Sequence, residues 1–140
     1  MKLSTKSTYG LRAMVDIALN SHRGATSVMD IAKLEGISVS YLEQLLNKLR
    51  HEGLVESIRG PKGGYVLSRA ADEITVGDVV KTLEKDVAPV HCVTTKKSTK
   101  AACGRSEVCV TKDVWERLAR SIEDCLDSVT LEDLCRKARR

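Results

Sequence analysis

The sequence predicts a mostly α-helical fold with one short two-stranded hairpin and a long helix towards its C-terminal end. Three observations predict it. Apolar residues recur at three- and four-residue spacing along most of the 140-residue chain, the period of a helix with one buried face. Period-two patterning is confined to two short runs, at 54–58 and 65–68, joined by a turn bearing glycine and proline. Phe is absent and Trp occurs once, while hydrophobic residues make up 42% of the chain, so the core has to be aliphatic.

The first helix is expected from about Thr8 to Leu19, where Leu11, Met14, Val15, Ala18 and Leu19 share a face. His22 and Gly24 interrupt the pattern. Thr26-Ser27 then offers an N-cap, with Asp30 placed to bond back to the Ser27 backbone and Ile31 and Ala32 as the inner face. Gly36 ends this short helix, since glycine accepts the left-handed conformation of a C-cap. A third helix is expected from Ser38 or Ser40 to Gly53, with Leu42, Leu45, Leu46 and Leu49 in one stripe. Two helices joined by a short glycine-bearing turn form a helix-turn-helix.

The runs Leu54-Val55-Glu56-Ser57-Ile58 and Tyr65-Val66-Leu67-Ser68 follow at once, separated by Arg59-Gly60-Pro61-Lys62-Gly63-Gly64. A helix-turn-helix followed by a hairpin is a winged helix-turn-helix. The hairpin tip carries Arg59 and Lys62 and almost nothing apolar, which suits a phosphate backbone or a minor groove. The net charge of +4 is mild, so the case for nucleic acid rests on where the charge sits. With the leucine stripe inward, Ser40, Gln44, Asn47 and Lys48 face out and Glu43 lies on the flank. The N-terminal end of a recognition helix usually reaches the bases, so Ser38, Ser40, Glu43 and Gln44 are the candidates there, with Lys48, Arg59 and Lys62 beside them. Gln pairs with adenine and Glu accepts from cytosine N4. A carboxylate repelled by phosphate would make Glu43 a sequence filter; a surface Glu beside Lys48 or Asn47 is the plainer alternative.

Thr75 and Asp78 cap a further helix with Val76, Val79, Val80 and Leu83 inward, ending at Asp86-Val87-Ala88-Pro89. The stretch that follows is polar and aperiodic and reads as a loop. It holds Cys92, Cys103 and Cys109, three of the five cysteines. A loop this polar has little packing reason to carry three thiols, which suit a soft ligand set for zinc or an iron–sulfur cluster. No signal-peptide pattern follows Met1 and no apolar run is long enough to span a bilayer. A cytoplasmic protein without membrane contact is expected, where stable disulfides are uncommon. Thr111 then opens a longer helix with Trp115, Leu118, Ile122, Cys125 and Val129 on a heptad-like seam, broadened by Leu126. The same helix of a second subunit is the simplest partner for that seam; packing back on its own domain is the alternative. Cys125, and Cys135 in a short last helix after Thr130, read as small apolar residues, and the segment Arg136-Lys137-Ala138-Arg139-Arg140 as a solvated basic end.

Nearly the whole chain resembles the IscR-type winged-helix regulators, a group that includes nitric-oxide sensors of the NsrR type. The resemblance rests on K-L-S-T-K-S-T-Y-G-L-R-A-M-V-D-I-A, I-S-V-S-Y-L-E-Q-L-L and G-L-V-E-S-I-R-G-P-K-G-G-Y-V-L, and continues through I-T-V-G-D-V-V, V-C-V-T-K-D-V-W and S-V-T-L-E-D-L. It implies a dimeric bacterial transcription factor whose three cysteines hold an iron–sulfur cluster, usually 2Fe-2S, with loss or modification of the cluster changing which operators are bound. The matching positions are Cys92, Cys103 and Cys109 for the cluster, Ser40, Glu43 and Gln44 for the major groove, and Arg59 for the wing. The chain departs from the pattern in a longer, basic spacer between its first two cysteines. Lys112 also stands where IscR-type members have a histidine, and Thr8 where nitric-oxide sensors have a carboxylate. Asp113, Glu107 and His91 are the local candidates for a fourth ligand.

The expectation is therefore a winged-helix DNA-binding domain at 1–86, a cysteine-bearing cluster-binding loop at 87–110, and a dimerisation helix and tail at 111–140. Its partners would be a double-stranded DNA operator, a second copy of the chain, and cluster-assembly proteins as cluster donors. A zinc- or thiol-based regulator keeps the same DNA surface. An electron-transfer protein or a pure interaction module would not need the recognition helix and wing. No His–carboxylate–nucleophile set or phosphate-binding glycine loop suggests an enzyme.

Overall fold

Short polar side chains at the helix ends set where most elements begin. The structure, a computed structural model, describes residues 3–84 and 110–139. These form helices α1 (Thr5–Leu19), α2 (Val28–Glu35), α3 (Val39–His51), α4 (Val76–Leu83), α5 (Lys112–Asp127) and α6 (Leu131–Ala138), with strands β1 (Val55–Ile58) and β2 (Gly64–Leu67) between α3 and α4. Ser4, Ser27, Ser38, Thr75 and Thr130 each accept a backbone N–H of the first turn they precede, a bond worth about 1 kcal/mol per cap. Thr75–Asp78 and Thr130–Asp133 close full capping boxes. At Ser27 only the forward bond from the Asp30 N–H forms.

Three boundaries differ from the sequence expectation. Helix α1 begins at Thr5 rather than Thr8, because Ser4 caps it and Ser7, polar in sequence, is buried. Helix α4 stops at Leu83, since Glu84 is extended and its carboxylate turns back to Ser4 and Ser7. Most of the basic C-terminal segment is helical: Arg136 lies in α6 and, with Arg139, ion-pairs with Glu132.

One aliphatic core joins nearly every element. Ala13, Met14, Ile17 and Ala18 of α1 meet Ile31 and Ala32 of α2, the four leucines of α3, Leu54 and Val55, Ile74, and Val79 and Leu83 of α4. Leu131 and Cys135 of α6 complete it, both wholly buried. Each such leucine contributes about 1.5–3 kcal/mol by leaving water. Burial also pushes the Cys135 thiol pKa up, so it sits in the core as a neutral apolar group. The chain returns to this core through a short antiparallel bridge. The Val76 N–H donates to the Val129 carbonyl at 2.8 Å, and the Leu131 N–H to the Ile74 carbonyl at 2.9 Å.

The wing is fixed to the helices by a second bridge. Strands β1 and β2 pair antiparallel from Val55 opposite Leu67 to Ile58 opposite Gly64. Thr26, just before α2, exchanges two backbone bonds with Tyr65 at 3.0 and 2.9 Å. Gly64 has φ 150°, and a Cβ there would overlap the Thr26 carbonyl. The hairpin therefore approaches the helix-turn-helix so closely that a side chain at 64 cannot fit. Replacing Gly64 with Ala should cost about 1–3 kcal/mol of stability and weaken DNA binding by displacing the wing. Chemical denaturation and a duplex-binding titration of G64A check both effects.

Asp16 of α1 and Glu35 of α2 form a carboxylate pair, with the Arg12 guanidinium 3.9 Å from Glu35. The Asp16 Oδ2 atom is buried with no donor beside it. Burial, and then sharing a proton with and sensing the charge of Glu35, raise the Asp16 pKa to about 7. Protonated, the two carboxyls hydrogen-bond; ionised, they repel. An unfolded Asp titrates near 3.9, so the native state holds the extra proton between these values. Stability should then fall as pH rises from about 4 to 7. After discounting for solvent screening, the effect is on the order of 1 kcal/mol. Asp16→Asn should flatten that slope and gain stability at pH 8 relative to the parent chain, as thermal melts across pH would show.

Candidate nucleic-acid interface

Gly36 makes the turn of the helix-turn-helix. It adopts φ 68°, ψ 35° and caps α2 in the left-handed conformation, and the Ile37 N–H bonds back to the Ala32 carbonyl at 3.1 Å. Ser38 follows in extended conformation and accepts the Tyr41 N–H at 3.1 Å. Its hydroxyl oxygen is thus spent on starting α3, although the side chain stays exposed.

Helix α3 buries Leu42, Leu45, Leu46 and Leu49 completely or nearly so. At about 100° per residue, this leaves Ser40, Gln44, Asn47 and His51 along the opposite face, all exposed. Glu43 and Arg50 lie on one flank, Tyr41 and Lys48 on the other. Among the described residues, the side chains of Ser40, Glu43, Gln44 and Lys48 make no hydrogen bond or ion pair. Glu43 therefore has neither of the neighbours that the plainer alternative offered it. Asn47 is engaged, accepting from Arg50 at 2.7 Å. His51 completes the outward line and was missed by sequence reasoning, although the polar spacing 40, 44, 47, 51 mirrors that of the buried leucines.

The wing places Arg59 and Lys62 at its exposed tip, with no partner among the described residues. Recognition helix and wing tip together present four cations (Lys48, Arg50, Arg59 and Lys62), two amides (Gln44 and Asn47) and the lone carboxylate of Glu43, without internal partners or with replaceable ones. That inventory matches what reading a major groove and holding its phosphates require.

Cys92, Cys103, Cys109, Glu107 and His91 lie outside the described residues. Asp113 is exposed in the first turn of α5. Lys112 ion-pairs with Glu116 at 3.5 Å. Thr8 is exposed on α1. Among the described residues no three potential metal ligands cluster, and no helix is long and apolar enough to cross a membrane.

The structure divides the seam of α5. Ala119 is buried, and Leu126 and Val129 pack on Val76 and Val80 of the same chain. Trp115 and Ile122 are half-buried, while Leu118, Cys125 and Val114 are exposed. An apolar edge thus remains uncovered beside the edge that packs on α4.

Residues 3–137 match the Rrf2 family, described as an iron-dependent transcriptional regulator. The chain is 43% identical over 134 residues to the HTH-type transcriptional regulator IscR of Erwinia tasmaniensis, an alignment covering 96% of this chain and 78% of that one. In three dimensions it is similar to CymR (YrzC), the global cysteine regulator of B. subtilis. The TM-score is 0.79 at 39% identity, with 98% of each chain covered. The structure of T. potens IscR superimposes with a TM-score of 0.77 at 42% identity, covering 99% of this chain and 88% of that one. Such relatives are named as regulators rather than enzymes. The winged helix-turn-helix expected from the sequence is the fold observed, and this chain belongs to the Rrf2 family as a DNA-binding transcriptional regulator of the IscR type.

Proposed function

We propose that the chain acts as a homodimer that senses iron–sulfur cluster status, or oxidative or nitrosative stress, through a labile cluster held by Cys92, Cys103 and Cys109. One observation carries this reading. The cysteine segment joins α4 to α5, which pack on one another, and α4 also packs on α1 and α3. Any change held between the ends of that segment therefore lies one helix away from the recognition helix. Three thiolates are the donor chemistry a cluster wants, and Asp113, Glu107 or His91 would supply the fourth ligand. Lys112 is unsuited, being an ammonium already paired with Glu116. When bound, such a cluster supplies a centre whose loss or modification by an oxidant or nitric oxide is the signal.

In this reading residues 1–86 bind the operator, 87–110 carry the sensor and, within 111–140, α5 joins the subunits while α6 completes the core of the DNA-binding domain. Ser38, Ser40, Glu43 and Gln44 face the bases, and Lys48, Arg59 and Lys62 the backbone. Of the expected seam, Trp115, Leu118, Ile122 and Cys125 form the dimer face of α5, with Leu118 and Cys125 most open to a partner. Val129 lies past the end of α5 and packs on Val76 and Val80 instead. Cluster-assembly proteins would load the site. The donor set also suits zinc, which binds three thiolates and one further ligand tetrahedrally.

Protein purified without oxygen should be brown, with about two irons and two sulfides per chain for a 2Fe-2S cluster, and Cys103→Ser should lose both colour and iron. A colourless protein holding zinc, or no metal, would move the sensor to zinc or thiol chemistry. On a panel of operator duplexes, Glu43→Ala should narrow the spread of affinities. Each base that Glu43 discriminates should lose about 1–3 kcal/mol of preference. An unchanged ranking and spread would remove Glu43 from base readout.

A further inference from the structure

The first turn of α1 is pinned by a carboxylate distant in sequence. Glu84 Oε1 accepts from the Ser4 N–H at 2.8 Å, the Ser4 hydroxyl at 2.6 Å and the Ser7 hydroxyl at 2.7 Å. Burial pushes the Glu84 pKa up, and the bonds from Ser4 and Ser7, with the nearby Lys6 charge, more than reverse this, leaving it below the ordinary value. The carboxylate thus stays ionised, with Oε1 accepting all three bonds. On its other side the same turn meets the recognition helix: Thr5 Oγ1 lies 3.2 Å from Tyr41 Oη, and the Tyr9 ring stands edge-on to Tyr41 with centroids 6.4 Å apart.

Tyr41 and Lys48 are seven residues apart and so share one flank of α3. Lys48 and Lys6 line a common cleft of about 570 Å³ together with Glu52, Arg69, Asp78 and Glu84. The charges in that cleft are unequally committed. Arg69 is paired with Asp78, which also caps α4, and Glu84 is held by the serines. Among the described residues Lys48 and Glu52 have no partner, and Lys6 makes no ion pair, only a longer-range attraction to Glu84. Two cations without a direct ion pair, with the Thr5 and Tyr41 hydroxyls, therefore border the helix that faces the groove.

We propose that this edge, Thr5 and Lys6 of α1 with Tyr41 and Lys48 of α3, grips the phosphate backbone of the DNA strand bordering the major groove that α3 enters, with Glu84 positioning the turn. The inference rests on α3 as the groove-reading helix. A duplex strand is the partner of choice because a helix seated in a major groove has a run of phosphates along each flank. Those phosphates make no use of base identity, so the contact adds affinity without specificity. Glu52 opposes it.

The test uses this whole chain and a mixed-sequence duplex of about three helical turns, with affinity followed against salt. Lys6→Gln should lower the slope of log affinity against log salt by about 0.9, the value for one phosphate no longer neutralised. Near 0.1 M salt it should weaken binding by about 3- to 10-fold. Thr5→Ala and Tyr41→Phe should weaken binding by about 2- to 10-fold with the slope unchanged, since the groups removed are neutral. Glu84→Ala should weaken binding in the parent but hardly further in the Lys6→Gln background. Glu52→Gln should strengthen binding, a change that damage to the fold does not produce. If Arg59→Gln flattens the slope and Lys6→Gln does not, the grip is absent while the DNA-binding reading stands. An equal effect from Lys137→Gln, on α6, would reduce it to overall charge and overturn it. A parent chain that binds no duplex would overturn both.

Discussion

The leucine stripe of α3 faces two ways in its consequences. Burying Leu42, Leu45, Leu46 and Leu49 against α1, α2 and α4 fixes the rotation of the helix about its own axis. The line Ser40, Gln44, Asn47 and His51 then has no freedom to face anywhere but outward. A helix rotated by one residue would bury Glu43 and Asn47, at a cost of several kcal/mol for groups without partners. Packing energy in the core thus sets which side chains DNA meets. The wing depends on the same frame at one remove, because Thr26, which anchors Tyr65, sits where α2 begins.

The C-terminal helices are part of this frame. Sequence spacing alone presents residues 111–140 as an appendage, yet Leu131 and Cys135 are as deeply buried as any leucine of α3. The two capping boxes at Thr75 and Thr130 lie side by side, joined by the bridge between Ile74–Val76 and Val129–Leu131. Lys81 on α4 and Asp127 at the end of α5 add a salt bridge at 3.0 Å, which as a surface pair contributes little by itself. These contacts link α5 through α4 to α1 and α3, and the cysteine segment connects α4 to α5.

The helices, the hairpin and the glycine turn were legible because each is a local matter of period, cap and turn chemistry. So was the exposure of Ser40, Glu43 and Gln44, which follows from placing leucines inward, and that of Arg59, which follows from a hairpin tip with almost nothing apolar. What the sequence concealed was tertiary. Ser7 looks like a surface residue and is buried because Glu84, distant in sequence, supplies its partner. Asp16 looks like an ordinary helix carboxylate and carries a raised pKa because packing buries it and then sets Glu35 of another helix beside it. The role of the first turn of α1 was invisible for the same reason, since Thr5 and Tyr41 meet only after α1 and α3 have packed.

The amphipathic face of α5 shows the limit of reading one helix as one seam. Its apolar residues span a face broader than a single neighbour needs. Ala119 is buried, Leu126 packs on Val76 and Val80 of α4, and the Val129 carbonyl and side chain are committed to the start of that helix. Val114, Leu118 and Cys125 occupy the adjoining edge and remain open to water. Both sequence alternatives, packing inward and pairing outward, are thereby accommodated by one helix, each on its own edge. A second copy seated on the outer edge would bury the exposed Leu118 without displacing the inner contacts. Subunit pairing would then bear directly on the helix that follows the cysteine segment, and through α4 on the rotation of α3. In the homodimer proposed above, dimer geometry and operator spacing become linked quantities, because the same short helix α4 supports both.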